Sequence, residues 1–174
     1  MTETKIIIES LETLIGDSSK GLPEDVFLFV SGVTPLVNVD LLVKNEHGHT
    51  LLTWRDDGYC QPGWHIPGGI IRFKETAAER IKIVAATELG AAVEFTPNPV
   101  AINEIIHPSR NVRGHFISLL YECTLVSPLD ENLRDKSGIP GPGEWAWHEQ
   151  CPSDILSEHE IYRKFIDTKA NDSL

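Results

Sequence analysis

Apolar residues recur along the chain at two different spacings, and these spacings predict the order of its helices and strands. Residues 5–15 carry isoleucine and leucine at helical spacing, and the turn-rich segment 16–21 ends the pattern, so we predict a helix followed by a loop. A second helix is predicted at 23–31, where a proline and two acidic residues suit a helix start. Its residues 26–30 are all apolar, so the domain or a second subunit is expected to cover this helix.

Runs of β-branched and aromatic residues bounded by turn residues predict the strands. The runs 36–44 and 50–55 flank a short polar turn and predict a hairpin. Later strands are predicted at 91–95, 100–107, 115–125 and 144–148, with a last helix from 152 to about 167. Because strands lie on both sides of one central helix, we expect an α+β fold, with a mixed β-sheet sandwiched between helices in three α/β/α layers.

The central segment 65–90 contains a short strand, a Gly-Gly turn and a helix whose start and stop can be read from the sequence. Thr76 and Glu79 fit a capping box, and Gly90 stands where a left-handed residue ends a helix. Between them one stripe of apolar residues is expected to face the core, namely Ala78, Ile81, Ala85 and Leu89.

Two positions at the ends of this segment suit a divalent cation. The Gly68 carbonyl is unshielded by any side chain, and the Glu88 carboxylate near the helix end can fold back toward it. These are two hard oxygen ligands of the kind that Mg²⁺, or Mn²⁺ in its place, prefers. Substrate phosphates and water would complete the coordination. The alternative interpretation is that Glu88 is a solvated carboxylate at a helix end.

The spacing of Gly69, Glu75 and Glu88-Leu89-Gly90 resembles the Nudix box, a loop-helix-loop motif of enzymes that hydrolyse nucleoside diphosphate derivatives. The match departs from the box at 83–84, where Ile-Val replaces Arg-Glu, and at Thr87, where a glutamate is usual. In the family, the position of Glu75 pairs with the arginine that is missing here. One remaining helical carboxylate makes the chain most similar to the GDP-mannose mannosyl hydrolase branch.

The resemblance covers roughly residues 34–150 and includes the stretches 34–43 and 63–69. It implies a helical extension at 1–33 and a Nudix hydrolase domain at 34–174. It also implies a small-molecule substrate, a nucleoside diphosphate joined to a sugar.

Individual site residues follow from this resemblance. Arg55 matches an arginine that contacts the substrate diphosphate, and Asp40 matches an aspartate near the bound nucleotide sugar. The branch carries an arginine at the position of Ile70, and Arg72 two residues later is expected to replace it. Glu144 is the titratable residue in the stretch where the branch has its catalytic histidine, so Glu144 is the candidate general base.

Three chemical outcomes stay open at this point. Water attack on the anomeric carbon would cleave the sugar C–O bond, and attack on phosphorus would cleave a P–O bond. The reduced box also fits a Nudix domain that binds a nucleotide ligand without turnover.

Composition narrows the expected partners and compartment. With a net charge of −11 the chain lacks the basic footprint of nucleic-acid or anionic-membrane binding, so any phosphate site must concentrate its few cations in one pocket. Cys60, Cys123 and Cys151 are widely spaced and predict neither a disulfide framework nor a zinc site. Without a targeting or membrane-spanning pattern we expect a cytoplasmic protein, and the apolar second helix favours a homodimer.

Overall fold

In the computed structural model, which describes residues 2–59 and 61–167, eight strands divide between two sheets. In the larger sheet, β1 (Leu36–Val43) runs parallel to β7 (His115–Leu125) and antiparallel to β4 (Gly68–Ile70). The strands β5 (Val93–Phe95) and β6 (Ala101–Ile106) both pair antiparallel with β7. The smaller sheet places β2 (Thr50–Arg55) between β3 (Gly63–His65) and β8 (Trp145–His148). The α+β prediction with a mixed sheet is confirmed, although the strands form two sheets and not one.

The predicted hairpin is limited to its turn. Lys44 and Thr50 form an isolated antiparallel bridge, and the Asn45 side chain accepts the backbone N–H groups of His47 and His49 inside the turn. Beyond the bridge the two strands separate into different sheets. The reason is that β4 and β7 occupy both edges of β1, so no edge of β1 is left for β2 to extend the pairing.

The helices largely follow their sequence signals. Helices α1 (Glu3–Ile15) and α2 (Glu24–Ser31) precede the first strand as predicted. The central helix α3 (Ala77–Glu88) has the predicted capping box, and Gly90 adopts φ +60° just beyond its end. The apolar stripe is correct in three of its four members, since Ala78 is exposed and Val84 is buried in its place.

The C-terminal segment is less helical than predicted. It contains a 3-10 helix at Ser157–Tyr162 and a single α turn, α4 (Arg163–Asp167). The preceding residues run beside β3, because Trp64 donates its N–H to the Asp154 carbonyl and accepts the Leu156 N–H on its own carbonyl. This pairing, with an isolated bridge between Trp64 and Ile155, keeps residues 154–156 beside β3, and the helix begins only at Ser157.

The core lies on both sides of the larger sheet. One cluster packs α3 against β1 and β8 around Leu41, Ile81 and Trp145, and the other packs the C-terminal segment against β2 and β3 around Leu52 and Tyr162. Two cysteines, Cys123 and Cys151, are free and buried, while Cys60 lies outside the described residues. Within residues 2–59 and 61–167, no helix has both the length and the apolar character needed to cross a bilayer.

Candidate active site

A cleft opens between the β1–β4 edge of the larger sheet and the C-terminal 3-10 helix. A neighbouring hollow shares Arg55, Asp57 and His65 with this cleft and adds Thr53 and Glu88. The polar groups that line the cleft itself come from five separate segments and include Asn38, Asp40, Arg55, His65, Arg110, Arg113, Glu158 and His159. Together the two spaces form one candidate site at the end of the Gly-Gly strand.

Strand register determines how Gly68 presents its backbone. Asp40 lies opposite Gly68, and the Leu41 N–H donates to the Pro67 carbonyl with a nitrogen–oxygen distance of 2.8 Å. In this antiparallel pattern Asp40 and Gly68 are a non-hydrogen-bonded pair, so the N–H and the C=O of Gly68 point away from β1. A side chain at Gly68 would collide with the Asp40 carboxylate, which explains why glycine is needed there.

Glu88 folds back from the end of α3 to this backbone. The Gly68 N–H donates to its carboxylate, and Thr53 Oγ1 lies 3.4 Å from its Oε2. Burial raises the pKa of Glu88 to about 7, with Asp40 adding to the increase and Arg55 opposing it. A carboxylate that is expensive to ionise is one that a nearby cation would stabilise.

The donor set around Glu88 fits a divalent cation with few protein ligands. The Glu88 carboxylate and the Gly68 carbonyl are hard oxygens on the same edge of β4, as Mg²⁺ prefers. No cluster of three or more His, Cys, Asp or Glu side chains suited to a metal occurs in the described part of the chain. Phosphate oxygens and water would therefore have to supply most of the coordination.

Asp40 is buried beside this edge and held by three donors. Its Oδ2 accepts Asn38 Nδ2 at 2.9 Å, Tyr162 Oη at 2.5 Å and the Ser118 hydroxyl. These hydrogen bonds offset the cost of a carboxylate inside an apolar strand. All three reach the same oxygen, and Oδ1 is the oxygen that lies against Gly68. Asp40 is thus held in one position where it lines the cleft.

Cationic side chains converge on the cleft from three directions, as expected for a phosphate site in an acidic chain. The Asp57 carboxylate lies 3.8 Å from Arg55 Nε and 3.6 Å from Arg113 Nη2. The Arg113 guanidinium also stacks over the Tyr59 ring at 4.3 Å from its centroid. Arg110 comes from the β6–β7 loop as well and forms an ion pair with the C-terminal 3-10 helix. These contacts orient the guanidinium groups while leaving them at the cleft surface.

Comparison with known proteins places this geometry in a family. No family model matches the sequence. The chain is 30% identical over 116 residues to the low-salt glycan biosynthesis protein Agl8 of Haloferax volcanii, a match that spans 64% of this chain and 71% of Agl8. The chain belongs to the family of Agl8.

Solved structures show which fold this chain has. A MutT Nudix hydrolase from Burkholderia pseudomallei superposes with a TM-score of 0.57 at 16% identity, covering 75% of this chain and 97% of that one. A UDP-X diphosphatase superposes with a TM-score of 0.56 at 16% identity, covering 96% of this chain and 69% of that one. This chain therefore has the Nudix hydrolase fold.

The structure brings together four of the six site residues predicted from the sequence of this chain, namely Asp40, Arg55, Gly68 and Glu88. The other two lie apart from them. Glu144 folds back on its own loop, where its carboxylate accepts the Gly141 N–H at 2.8 Å. Arg72 lines a separate, mainly apolar hollow beside α2.

Another residue of this chain pairs with Glu75 in place of the missing Nudix-box arginine. Arg80 places its Nη2 2.7 Å and its Nε 2.8 Å from Glu75 Oε2, and both side chains are largely buried. Arg80 therefore makes the ion pair with Glu75 that the Nudix-box resemblance would assign to an arginine at the position of Ile83, which is 40% exposed here. Glu75 also accepts the Arg72 N–H, so it ties the loop after β4 to helix α3.

Three residues of the cleft were not predicted from the sequence of this chain. Arg110 and Arg113 lie in the loop 107–114, and His159 lies in the C-terminal 3-10 helix. None of them belongs to a recognisable motif. The one available hint was the net charge, which requires that cations be gathered if phosphate is to bind.

Proposed function

We propose that the chain is a Mg²⁺-dependent hydrolase of a nucleoside diphosphate-linked sugar. The observation that carries this proposal is the convergence of Arg55, Glu88 and Gly68 at one end of a cleft that also holds the fixed carboxylate of Asp40. The names of two similar proteins support the same substrate class, since one acts in glycan biosynthesis and the other is a UDP-X diphosphatase.

The chain's own residues divide the work of binding. Arg55 lines both the hollow of Glu88 and the cleft of Asp40, so its guanidinium can bind two oxygens of a diphosphate that spans both spaces. Glu88 and the Gly68 carbonyl would hold the cation. A bound Mg²⁺ supplies Lewis-acid stabilisation of the charge that develops on the phosphate oxygens.

The sugar end of the substrate would lie toward Asp40, which lines the cleft. An anion fixed at that position can accept a sugar hydroxyl and stabilise positive charge on an anomeric carbon. This favours C–O cleavage as the reaction. Glu144 remains the candidate base, and it would have to leave the Gly141 N–H to reach the cleft. Arg72 would have to turn from the α2 hollow to contact phosphate.

A second reaction has its own support. Hydrolysis of a P–O bond in another nucleoside diphosphate derivative is favoured by the additional arginines, because Arg110 and Arg113 can bind a second charged group beside the diphosphate.

The experiment that separates the reactions uses labelled water. The purified chain is incubated with Mg²⁺ and a panel of nucleotide sugars in ¹⁸O-water, and the products are followed by phosphorus NMR and mass spectrometry. Label in the free sugar supports the proposal, and label in a phosphate supports the second reaction. If nucleotide sugars bind but none of the panel is hydrolysed, both reactions are refuted, and the result supports a domain that binds a ligand without turnover.

The Glu88→Gln variant tests the site itself in the same assay. We expect a loss of Mg²⁺-dependent turnover, with Glu94→Gln on the exposed face of β5 as the matched control. Unchanged turnover and unchanged Mg²⁺ dependence in Glu88→Gln would contradict the site assignment.

A further inference from the structure

Two histidines contact the backbone of Ile66, which lies two residues before the first glycine of β4. The Ile66 N–H donates to Nδ1 of His159 at 3.3 Å, and the Ile66 carbonyl accepts from Nδ1 of His65 at 2.8 Å. A backbone N–H can only donate and a carbonyl can only accept. Nδ1 of His159 must therefore be bare, and Nδ1 of His65 must carry a proton.

The two rings consequently have opposite tautomers. Neutral His65 has a bare Nε2, which accepts from the Thr53 hydroxyl at 3.0 Å. Neutral His159 carries its single proton on Nε2. Burial lowers the pKa of His159, and the charge of Arg55 lowers it further while that of Asp40 opposes the change, so the neutral ring is favoured. The backbone thus sets which nitrogen of each ring can donate.

Packing fixes the orientation of the His159 ring as well. It meets the rings of His65 and Tyr162 edge-on, with centroid distances of 5.5 Å and 5.3 Å. Its sequence neighbour Glu158 pairs with Arg110 at 2.5 Å, which ties the 3-10 helix to the β6–β7 loop. The ring lines the cleft together with Arg55, and its Nδ1 edge is already occupied by Ile66. The Nε2–H edge is the one left to meet a ligand.

We propose that His159 is a substrate-contacting residue whose Nε2–H donates a hydrogen bond to a phosphate oxygen of the nucleoside diphosphate. The proposal rests on the proposed function for its substrate class. It also assigns a limit to His159: a ring that presents a proton to the cleft is a donor and not a general base, since a base must present a bare nitrogen. His159 would complement Arg55 by adding a neutral donor beside a charged one.

The first test reads the tautomer directly and needs no activity. The full chain is labelled with ¹⁵N-histidine, and long-range ¹H–¹⁵N spectra distinguish Nε2–H from Nδ1–H rings, with His65→Gln and His159→Gln used for assignment. We expect the Nε2–H form for His159 and the Nδ1–H form for His65. An Nδ1–H tautomer at His159 would overturn the proposal.

The second test measures binding of UDP, GDP and ADP with Mg²⁺ by calorimetry. Glutamine can place an N–H donor near the Nε2 position, whereas the shorter asparagine reaches only the Nδ1 position. We therefore expect His159→Gln to bind within a few-fold of the natural chain and His159→Asn to bind roughly tenfold to a hundredfold more weakly, as for loss of a hydrogen bond to a charged group. The exposed His47→Asn is the matched control.

The outcomes also separate this proposal from the proposed function. Equal binding by the asparagine, glutamine and natural chains overturns the role of His159, even if nucleotide sugars are hydrolysed. Failure of all three diphosphates to bind the natural chain also overturns it. Binding that depends on residue 159 without any hydrolysis sustains the role of His159 and refutes the proposed function. Thermal melts of each variant verify that the compared chains are folded.

Discussion

Replacing Glu88 with glutamine is expected to make the chain more stable at alkaline pH while removing its cation site. Burial raises the pKa of Glu88 to about 7 from its ordinary 4.5. The unfolded chain therefore ionises Glu88 at lower pH than the folded chain does. Stability is lost as the pH rises from 4.5 toward 7, and the full cost is present above 7.

The size of this stability difference follows from the two pKa values of Glu88. The difference between 4.5 and about 7 corresponds to about 3 kcal/mol, at roughly 1.4 kcal/mol for each pH unit. Glutamine keeps the shape of the side chain and cannot ionise, and its amide can still accept the Gly68 N–H and donate to Thr53. The free energy of unfolding of Glu88→Gln should therefore equal that of the natural chain near pH 4.5 and exceed it by about 3 kcal/mol at pH 8.5.

Urea unfolding of both chains between pH 4.5 and pH 8.5 measures this difference. Groups far from Glu88 titrate alike in the two chains and cancel in the comparison, and the exposed Glu94→Gln should show no pH-dependent difference. A difference between Glu88→Gln and the natural chain that stays constant across the pH range would refute the reasoning.

Magnesium should largely cancel this difference in stability at high pH. A cation that binds the ionised Glu88 of the folded chain adds RT ln(1 + [Mg²⁺]/Kd), which is about 2.7 kcal/mol at a hundredfold excess over Kd. The natural chain should gain this stability at pH 8.5 and Glu88→Gln should not. Equal stabilisation of both chains by Mg²⁺ would show that the cation binds elsewhere.

Three further substitutions test the surroundings of the site. Tyr162→Phe removes one donor from the Asp40 carboxylate and should lower the free energy of unfolding, measured in urea, by roughly 1.5–3 kcal/mol. The buried control Tyr121→Phe should cost less, and equal costs would contradict the hydrogen-bond argument. Gly69→Ala places a methyl group against helix α3 and should cost roughly 1–3 kcal/mol, and an unchanged melting temperature would contradict the close packing. Arg55→Lys keeps the charge but loses the planar pair of donors, so KM for a nucleotide sugar should rise roughly tenfold at constant fold stability; an unchanged KM would exclude bidentate binding.

Local signals were sufficient to predict the centre of the fold. The capping box of Thr76 and Glu79 and the left-handed Gly90 define α3 through contacts within a few residues, and such contacts can be read from spacing. The Gly-Gly pair was predicted as a turn, and this was wrong, because both glycines lie in β4 and pair antiparallel with β1. These elements place Gly68 and Glu88 side by side because a strand, a loop and a helix of these lengths return the helix end to the turn.

The features that the sequence did not reveal depend on pairings between distant segments. Separation of the strands into two sheets follows from β7 taking the free edge of β1, some eighty residues away along the chain. The 3-10 helix that carries His159 owes its position to the pairing of Trp64 with residues 154–156. The partner of Glu75 also came from an unexpected place, because Arg80 reaches back along the first turn of α3.

The location of Arg80 explains why so small a set of carboxylates can still form a site. Arg80 pairs with Glu75 at the start of α3, and Arg55 is the cation that lowers the pKa of the acid at the other end of the helix. Arg55 only partly offsets the burial of Glu88, and three uncharged donors already satisfy one oxygen of Asp40. The remaining unbalanced negative charge is therefore concentrated beside the Gly68 carbonyl. We expect a cation bound at that point to offset this cost of about 3 kcal/mol.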